Sequence, residues 1–178
     1  MGRRNYLING VSGTGKTAVA NELQRRGHQV IHGDRDLAYA GDPRTGEPIG
    51  DRMREYTIRD AAFVHGHHLW DVGKVELLAA DRSRPVTFFC GGARNFHRFI
   101  DLFDAVFVLD VDLDTLNERL AARPEDEFGG KPDERALIVR LHATQEDVPK
   151  HAARIDATGP LSSVVDEILS RCTAIDPL

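Results

Sequence analysis

Cysteine is scarce. The 178 residues hold two, Cys90 and Cys172, so no disulfide framework is available. Cys90 closes the apolar run Pro85-Val86-Thr87-Phe88-Phe89-Cys90 and reads as a buried thiol. Lysine is almost as rare. Lys16, Lys74, Lys131 and Lys150 are all there are among 23 basic residues, so the rest are arginine, a side chain suited to bidentate contacts with phosphate or carboxylate. Positive charge is not in excess. The formal net charge of −5 removes the electrostatic footprint expected of a nucleic-acid binder. No apolar run approaches the ~20 residues needed to cross a bilayer. Met1 to Asn5 is polar, and the apolar stretch after it is too short for a signal peptide. The expectation is a cytoplasmic protein, monomer or homodimer, with no nucleic-acid or membrane partner. Hydrophobic residues make up 41% of the chain, enough for the full core of a single domain over 1–178.

What is present is a phosphate-binding loop. Gly10-Val11-Ser12-Gly13-Thr14-Gly15-Lys16-Thr17 fits G-x-x-x-x-G-K-[ST] at every fixed position. It follows the short apolar run Tyr6-Leu7-Ile8-Asn9 and precedes the helix-prone run from Ala18 to Arg26, which Gly27 can end. Gly10, Gly13 and Gly15 let the backbone wrap closely around phosphate oxygens. The helix N-terminus behind them favours an anion. Lys16 would reach the β- and γ-phosphates of ATP, and the Thr17 hydroxyl would ligate Mg²⁺. Ser12 and Thr14 complete the loop as nucleotide contacts.

Strand-length apolar runs alternate with helical patterns along the rest of the chain. Gln29 to His32, Pro85 to Cys90, Ala105 to Leu109 and Arg154 to Asp156 read as strands. Thr57 to Ala80 has helical spacing interrupted by Gly66 and Gly73. Leu113 to Ala122 reads as a helix capped by Asp112, and Asp133 to Gln145 as one capped by Asp133. Leu161 to Cys172 is a closing amphipathic helix. Such alternation predicts an α/β fold, a parallel sheet with helices on both faces. In such sheets ligands bind beyond the carboxyl ends of the strands.

The residues at those ends are therefore the candidates. Asp34 and Asp36 follow the second strand in Gly33-Asp34-Arg35-Asp36. One could serve Mg²⁺ and the other accept the proton of an attacking hydroxyl, or both could belong to a solvated turn. Cys90 stands where an aspartate would have served magnesium after the third strand, which shifts that duty toward Asp34. In Gly91-Gly92-Ala93-Arg94 the glycines allow close backbone approach, and Arg94 could clamp an acidic group of the substrate. Asp110, ending the fourth strand, could be a displaced magnesium carboxylate but reads first as a loop or capping aspartate. Arg119 and Arg123 share a helix face leading into 124–132, a charged stretch flanked by prolines that suits a lid, about 123–135. They could neutralise charge on a transferring phosphoryl group or pair with Glu118 and Glu125 on a solvated face. Ala157-Thr158-Gly159-Pro160 could lie against the nucleotide base or simply connect two elements. The region at about 35–80 carries Asp42, Arg44, Glu47, Asp51, Arg52, Arg54 and Arg59, and reads as the wall of an acceptor site. His65, His67 and His68 lack a partnered cysteine or carboxylate cluster and read as structural.

Taken together these segments resemble the small P-loop kinases: adenylate kinase-like nucleotide kinases, shikimate kinases and gluconate kinases. Asp34-Arg35-Asp36 is similar to the D-x-D of shikimate kinases, as are Thr45-Gly46-Glu47-Pro48-Ile49 and Gly91-Gly92. Cys90-Gly91-Gly92-Ala93-Arg94 is similar in spacing to the D-G-F-P-R segment of adenylate kinases. The loop from Gly10 to Lys16 and the cysteine ending the third strand resemble gluconate kinases, and Ile155 to Leu161 resembles the adenine loop of all three. The resemblance implies a three-layer fold with a five-stranded parallel sheet in the order 2-3-1-4-5, ATP and Mg²⁺ as cofactors, and as acceptor a small polar or anionic metabolite or a nucleotide. It implies catalytic roles for Lys16, Asp36, Arg119 and Arg123, and ATP contacts from the loop, Arg119, Thr158 and Pro160. It assigns the metal to Thr17 and Asp34, and the substrate to Asp36, Arg54, Arg59, Gly91, Gly92 and Arg94. The alternative is an ATP-binding or ATP-hydrolysing regulatory protein without a small acceptor.

Overall fold

The structure, a computed structural model, describes residues 4–50 and 60–175. Strand β1 (Arg4–Asn9) runs through the middle of a five-stranded parallel sheet. Its side chains alternate between two cores: Tyr6 and Ile8 enter one, Leu7 the other. Strand β5 (Val86–Cys90) does the same, with Phe88 and Cys90 on one side and Phe89 on the opposite one. Near-continuously apolar strands of this kind belong to a sheet covered on both faces. With β2 (Gln29–His32), β6 (Ala105–Asp110) and β7 (Ala153–Asp156), the spatial order is β2-β5-β1-β6-β7. Counting the strands of this sheet in chain order gives 2-3-1-4-5, as expected. In register, Tyr6 lies between Phe88 on β5 and Ala105 on β6.

One face is closed by α1 (Lys16–Arg25), α5 (Leu113–Ala121), α6 (Pro132–Thr144) and α7 (Leu161–Ile175), through Val19, Leu23, Leu116, Leu120, Ile138, Val165 and Ile168. The other is closed by α4 (Val72–Ala80), through Val75 and Ala79, together with Trp70, Phe99 and Phe103. Trp70 stacks on Phe99 at 5.5 Å and 5°. Each such large side chain taken from water contributes about 1.5–3 kcal/mol.

Two sequence expectations change. The helical pattern from Thr57 to Ala80 is not one helix. Its described part divides into α3 (Ala61–Gly66), β4 (His68–Trp70) and α4. Two aspartates start the helices: Asp60 accepts from the Phe63 amide at 2.6 Å, and Asp71 from the Lys74 amide at 3.1 Å. Between them β4 pairs antiparallel with β3 (Ala38–Ala40), a small second sheet that local periodicity did not reveal. Helix α6 is not capped by Asp133. It begins one residue earlier, at Pro132, where a missing N–H is harmless. Glu134 reaches back to the amides of Gly129 and Lys131 at 2.8 and 3.3 Å. The Asp112 cap of α5 is present, accepting from the Thr115 amide at 2.7 Å.

Candidate functional site

The loop between β1 and α1 is held by its own polar groups. Asn9, buried at the end of β1, accepts from the Gly10 amide at 2.7 Å. The Thr14 hydroxyl donates to the Val11 carbonyl at 2.9 Å. Gly10 has φ of 149°, and a Cβ there would stand 2.6 Å from Thr14 Oγ1 and 2.7 Å from the Leu109 carbonyl oxygen. No side chain fits. Lys16 folds over the loop, its Nζ donating to the carbonyls of Gly10 at 2.7 Å and Val11 at 3.1 Å. Burial lowers its pKa, opposed by the charges of Asp34 and Asp147. The loop and Thr17 form the floor of a 740 Å³ cavity at the N-terminus of α1.

Both candidate arginines converge on this cavity. Arg119, on α5, donates to the Thr14 carbonyl at 3.1 Å and the Ala157 carbonyl at 2.8 Å. It thereby ties the phosphate loop to the turn after β7. Arg123 donates to Ser12 Oγ at 2.9 Å and to the Phe128 carbonyl, closing segment 124–131 over the loop. These bonds go to the loop and its cover.

A second cavity of 280 Å³ adjoins the first. Its polar wall is Asp34, His65, His68, Arg94 and Asp147, and Val64 and Phe128 supply apolar surface. The two cavities share Ser12, Lys16, Asp34 and Phe128. Asp34 Oδ1 lies 3.2 Å from His68 Nε2 and accepts weakly from the Gly92 amide at 3.4 Å. Burial pushes the Asp34 carboxyl up. The His68 hydrogen bond and the charge of Lys16 outweigh it, and the pKa falls below the ordinary carboxylate range. Deeper in the wall, Asp147 Oδ2 lies 3.1 Å from Arg94 Nη1 and 3.2 Å from His65 Nε2. Burial raises the Asp147 carboxyl, and His65, Arg94 and Lys16 overcome it to leave a net lowering.

Other sequence candidates lie elsewhere. The Asp36 side chain accepts from the His32 amide at 2.9 Å and lies 3.5 Å from Arg35, and it lines neither cavity. The cause is the helical turn α2 (Gly33–Asp36), in which side chains two apart point in divergent directions. Gly92 lines the smaller cavity, whereas Gly91 is packed beneath it, its Cβ position 2.7 Å from Trp70 Cζ2. In the turn after β7, Ala157 and Gly159 face the larger cavity. Thr158 instead accepts from the Asp112 amide at 3.4 Å, and the Pro160 carbonyl accepts the first amides of α7. Asp110 accepts from its neighbour Val111 at 3.1 Å, as a loop aspartate does. Arg54 and Arg59 lie outside the described residues. Asp42 caps its own turn, accepting from Arg44 and Thr45 amides.

Asp147 carried no local signal, because its partner Arg94 lies on the far side of β6, α5 and α6 in the chain. His65 and His68 were visible as a cluster and Asp34 as a candidate, but the pairing of His68 with Asp34 and of His65 with Asp147 was not. Among the described residues no group of three or more histidine, cysteine or carboxylate side chains forms a metal site by itself. Thr17 and Asp34 on the cavity wall suit magnesium that arrives with nucleotide phosphates.

In comparisons, a family model described as an AAA domain matches residues 7–140. No curated protein matches the sequence. Among solved structures, a shikimate kinase from Acinetobacter baumannii in complex with shikimate superposes with TM-score 0.65 at 14% identity, covering 99% of this chain and 96% of that one. An unliganded sugar kinase from Janibacter sp. HTCC2649 gives 0.56 at 18% identity, with coverage of 99% and 97%. A gluconokinase from Sinorhizobium meliloti 1021 gives 0.54 at 18%, with coverage of 97% and 93%. With a family match spanning most of its length, the chain belongs to the AAA domain family, and it shares the fold around its phosphate loop with the solved shikimate kinase, sugar kinase and gluconokinase structures.

Proposed function

We propose that the protein is an ATP-dependent kinase that moves the γ-phosphate of ATP to a small hydroxyl-bearing metabolite. The observation that carries this reading is the junction of the two cavities at Ser12, Lys16, Asp34 and Phe128. A triphosphate seated on the loop would end there, and an acceptor in the smaller cavity would begin there. The acceptor oxygen bonds to the γ-phosphorus as the bond to the β–γ bridging oxygen breaks and ADP leaves with its electron pair. Such transfers depend mainly on positioning and charge neutralisation.

Lys16 and the loop amides hold the β- and γ-phosphates. Thr17 and Asp34 would hold magnesium, which supplies charge neutralisation on the phosphates when bound. Asp34 also stands at the mouth of the acceptor cavity, where it can orient the hydroxyl and take its proton. Arg119 fixes the loop relative to the turn after β7, and Arg123 brings positive charge over the γ-position. Segment 124–131 covers the site and keeps water from the phosphoryl group.

The test is acceptor-dependent ADP formation by purified protein across a panel of hydroxylated metabolites. A member that raises the rate well above basal hydrolysis supports transfer. If none does, while ATP is bound and slowly hydrolysed, the regulatory P-loop alternative replaces the kinase.

A further inference from the structure

The chemistry of the smaller cavity narrows the acceptor. We infer that it is a small hydroxyl-rich compound bearing neither a carboxylate nor a phosphate group, an inference that rests on the kinase reading above. Among the described residues, the cavity's lysine and arginine are already engaged. Lys16 Nζ is given to the Gly10 and Val11 carbonyls and faces the phosphate loop. Arg94 Nη1 lies 3.1 Å from Asp147 Oδ2 and donates to the Asp147 carbonyl at 3.3 Å. Only 16% of the Arg94 side chain and 7% of the Asp147 side chain reach solvent, so the pair is matched inside the wall. His65 adds a second contact to the same carboxylate oxygen.

Among the described residues, the most open of the ion-paired side chains in this wall are Asp34, 54% exposed, and His68, 37% exposed. A carboxylate and an imidazole suit hydroxyl groups, which both donate and accept. An incoming anion would lose its hydration, find Arg94 already paired with Asp147, and lie close to the carboxylates of Asp34 and Asp147. Asp147 Oδ1 and Arg94 Nε are both buried without a hydrogen-bond partner, so the pair keeps one unmet acceptor beside one unmet donor. Val64 and Phe128 offer apolar surface for the C–H face of a polyol. This cavity is the smaller of the two, 280 Å³ against 740 Å³.

The experiment compares acceptors matched in size, glucitol with gluconate and ribitol with ribonate, together with inositol and shikimate. Two readouts are taken: kcat/KM for phosphoryl transfer, and calorimetric binding to protein loaded with a non-hydrolysable ATP analogue. The expected result is at least a tenfold preference for the uncharged compounds. Asp147→Asn, which leaves the Arg94 charge unmatched, should shift that preference tenfold or more toward the acids. A wild-type preference for gluconate, ribonate or shikimate overturns the inference without reference to any variant, as does the absence of binding by every compound. Binding that favours the uncharged compounds with no phosphoryl transfer sustains this assignment of the cavity and removes the kinase reading instead.

Discussion

Asp34 Oδ1 and His68 Nε2 stand 3.2 Å apart, joining the turn after β2 to the small second sheet at the boundary of the two cavities. The contact has a consequence for pH. Burial raises the Asp34 pKa, while the His68 hydrogen bond and Lys16 bring it to a net value below the ordinary range. Removing the hydrogen bond leaves burial less opposed, so the pKa must rise. If ionised Asp34 is required for transfer, the acid limb of the kcat/KM profile moves to higher pH in His68→Ala, which has no side-chain donor. A limb that stays in place would separate Asp34 ionisation from the rate.

The two aspartates of Asp34-Arg35-Asp36 should differ sharply. Asp34→Asn removes the carboxylate that meets both cavities, and a positioned acid–base group contributes about 10²–10⁴ in rate. Its kcat should fall by at least the lower figure, with a raised magnesium requirement. Asp36→Asn keeps an oxygen able to accept from the His32 amide, and its kcat should change by less than about threefold. Equal losses in steady-state kinetics would mean that Asp36 turns into the site during turnover.

How far this site could be read from the chain depends on sequence separation. The phosphate loop is contiguous, so spacing alone identified it. Alternating strands and helices implied a parallel sheet, and its order was implied by the resemblance to the small P-loop kinases. Asp34 and Asp36 were ambiguous because their divergence depends on whether Gly33 to Asp36 extends or coils, and it coils. Arg94 was recognisable, but its charge is set by Asp147, brought back by α6 and the turn beyond it. A local pattern therefore suggested an anion clamp at a residue that the fold pairs with Asp147.

The arginines should separate in kinetics. Arg119 holds two backbone carbonyls, of Thr14 and Ala157, at the wall of the larger cavity. Arg119→Ala loses charge-assisted bonds, each contributing about 1.5–3 kcal/mol, and should weaken ATP binding about tenfold or more in calorimetry. Arg123 reaches over Ser12 and holds the cover through Phe128. An arginine on the transferring phosphoryl group contributes about 10³–10⁵ in rate, so Arg123→Ala should lower kcat by about 10³ with ATP affinity nearly kept. Parallel losses in both parameters would place Arg123 with the ground-state nucleotide instead.

Packing beneath the site is tight at one glycine. A Cβ on Gly33 would stand 1.8 Å from Trp70 Cζ2, and Trp70 is fixed by its stack on Phe99. Overpacking of this kind costs about 1–3 kcal/mol. Gly33→Ala should lose an amount at the upper end in urea denaturation and disturb Asp34, the next residue. An unchanged midpoint would show that the ring is free to move.

The Arg94–Asp147 pair makes a contribution to stability whose pH dependence has a definite sign. The Asp147 carboxyl is lowered in the folded state despite burial, because His65, Arg94 and Lys16 favour its ionised form. Its stabilisation is therefore fully present above the unfolded carboxylate value of about 3.9 and is lost as pH falls through the lower folded value. Breaking one partner of a buried pair costs about 3–5 kcal/mol. Asp147→Asn should be less stable than wild type by about 3 kcal/mol at neutral pH, since Arg94 then keeps a buried and unmatched charge. Chemical denaturation at stepped pH should show that difference holding steady down to about pH 5 and narrowing below about pH 4, where the wild-type carboxylate begins to take up its proton. A difference that stayed constant through the acid range would mean that Asp147 stabilises by shape and hydrogen bonding, with its charge contributing nothing.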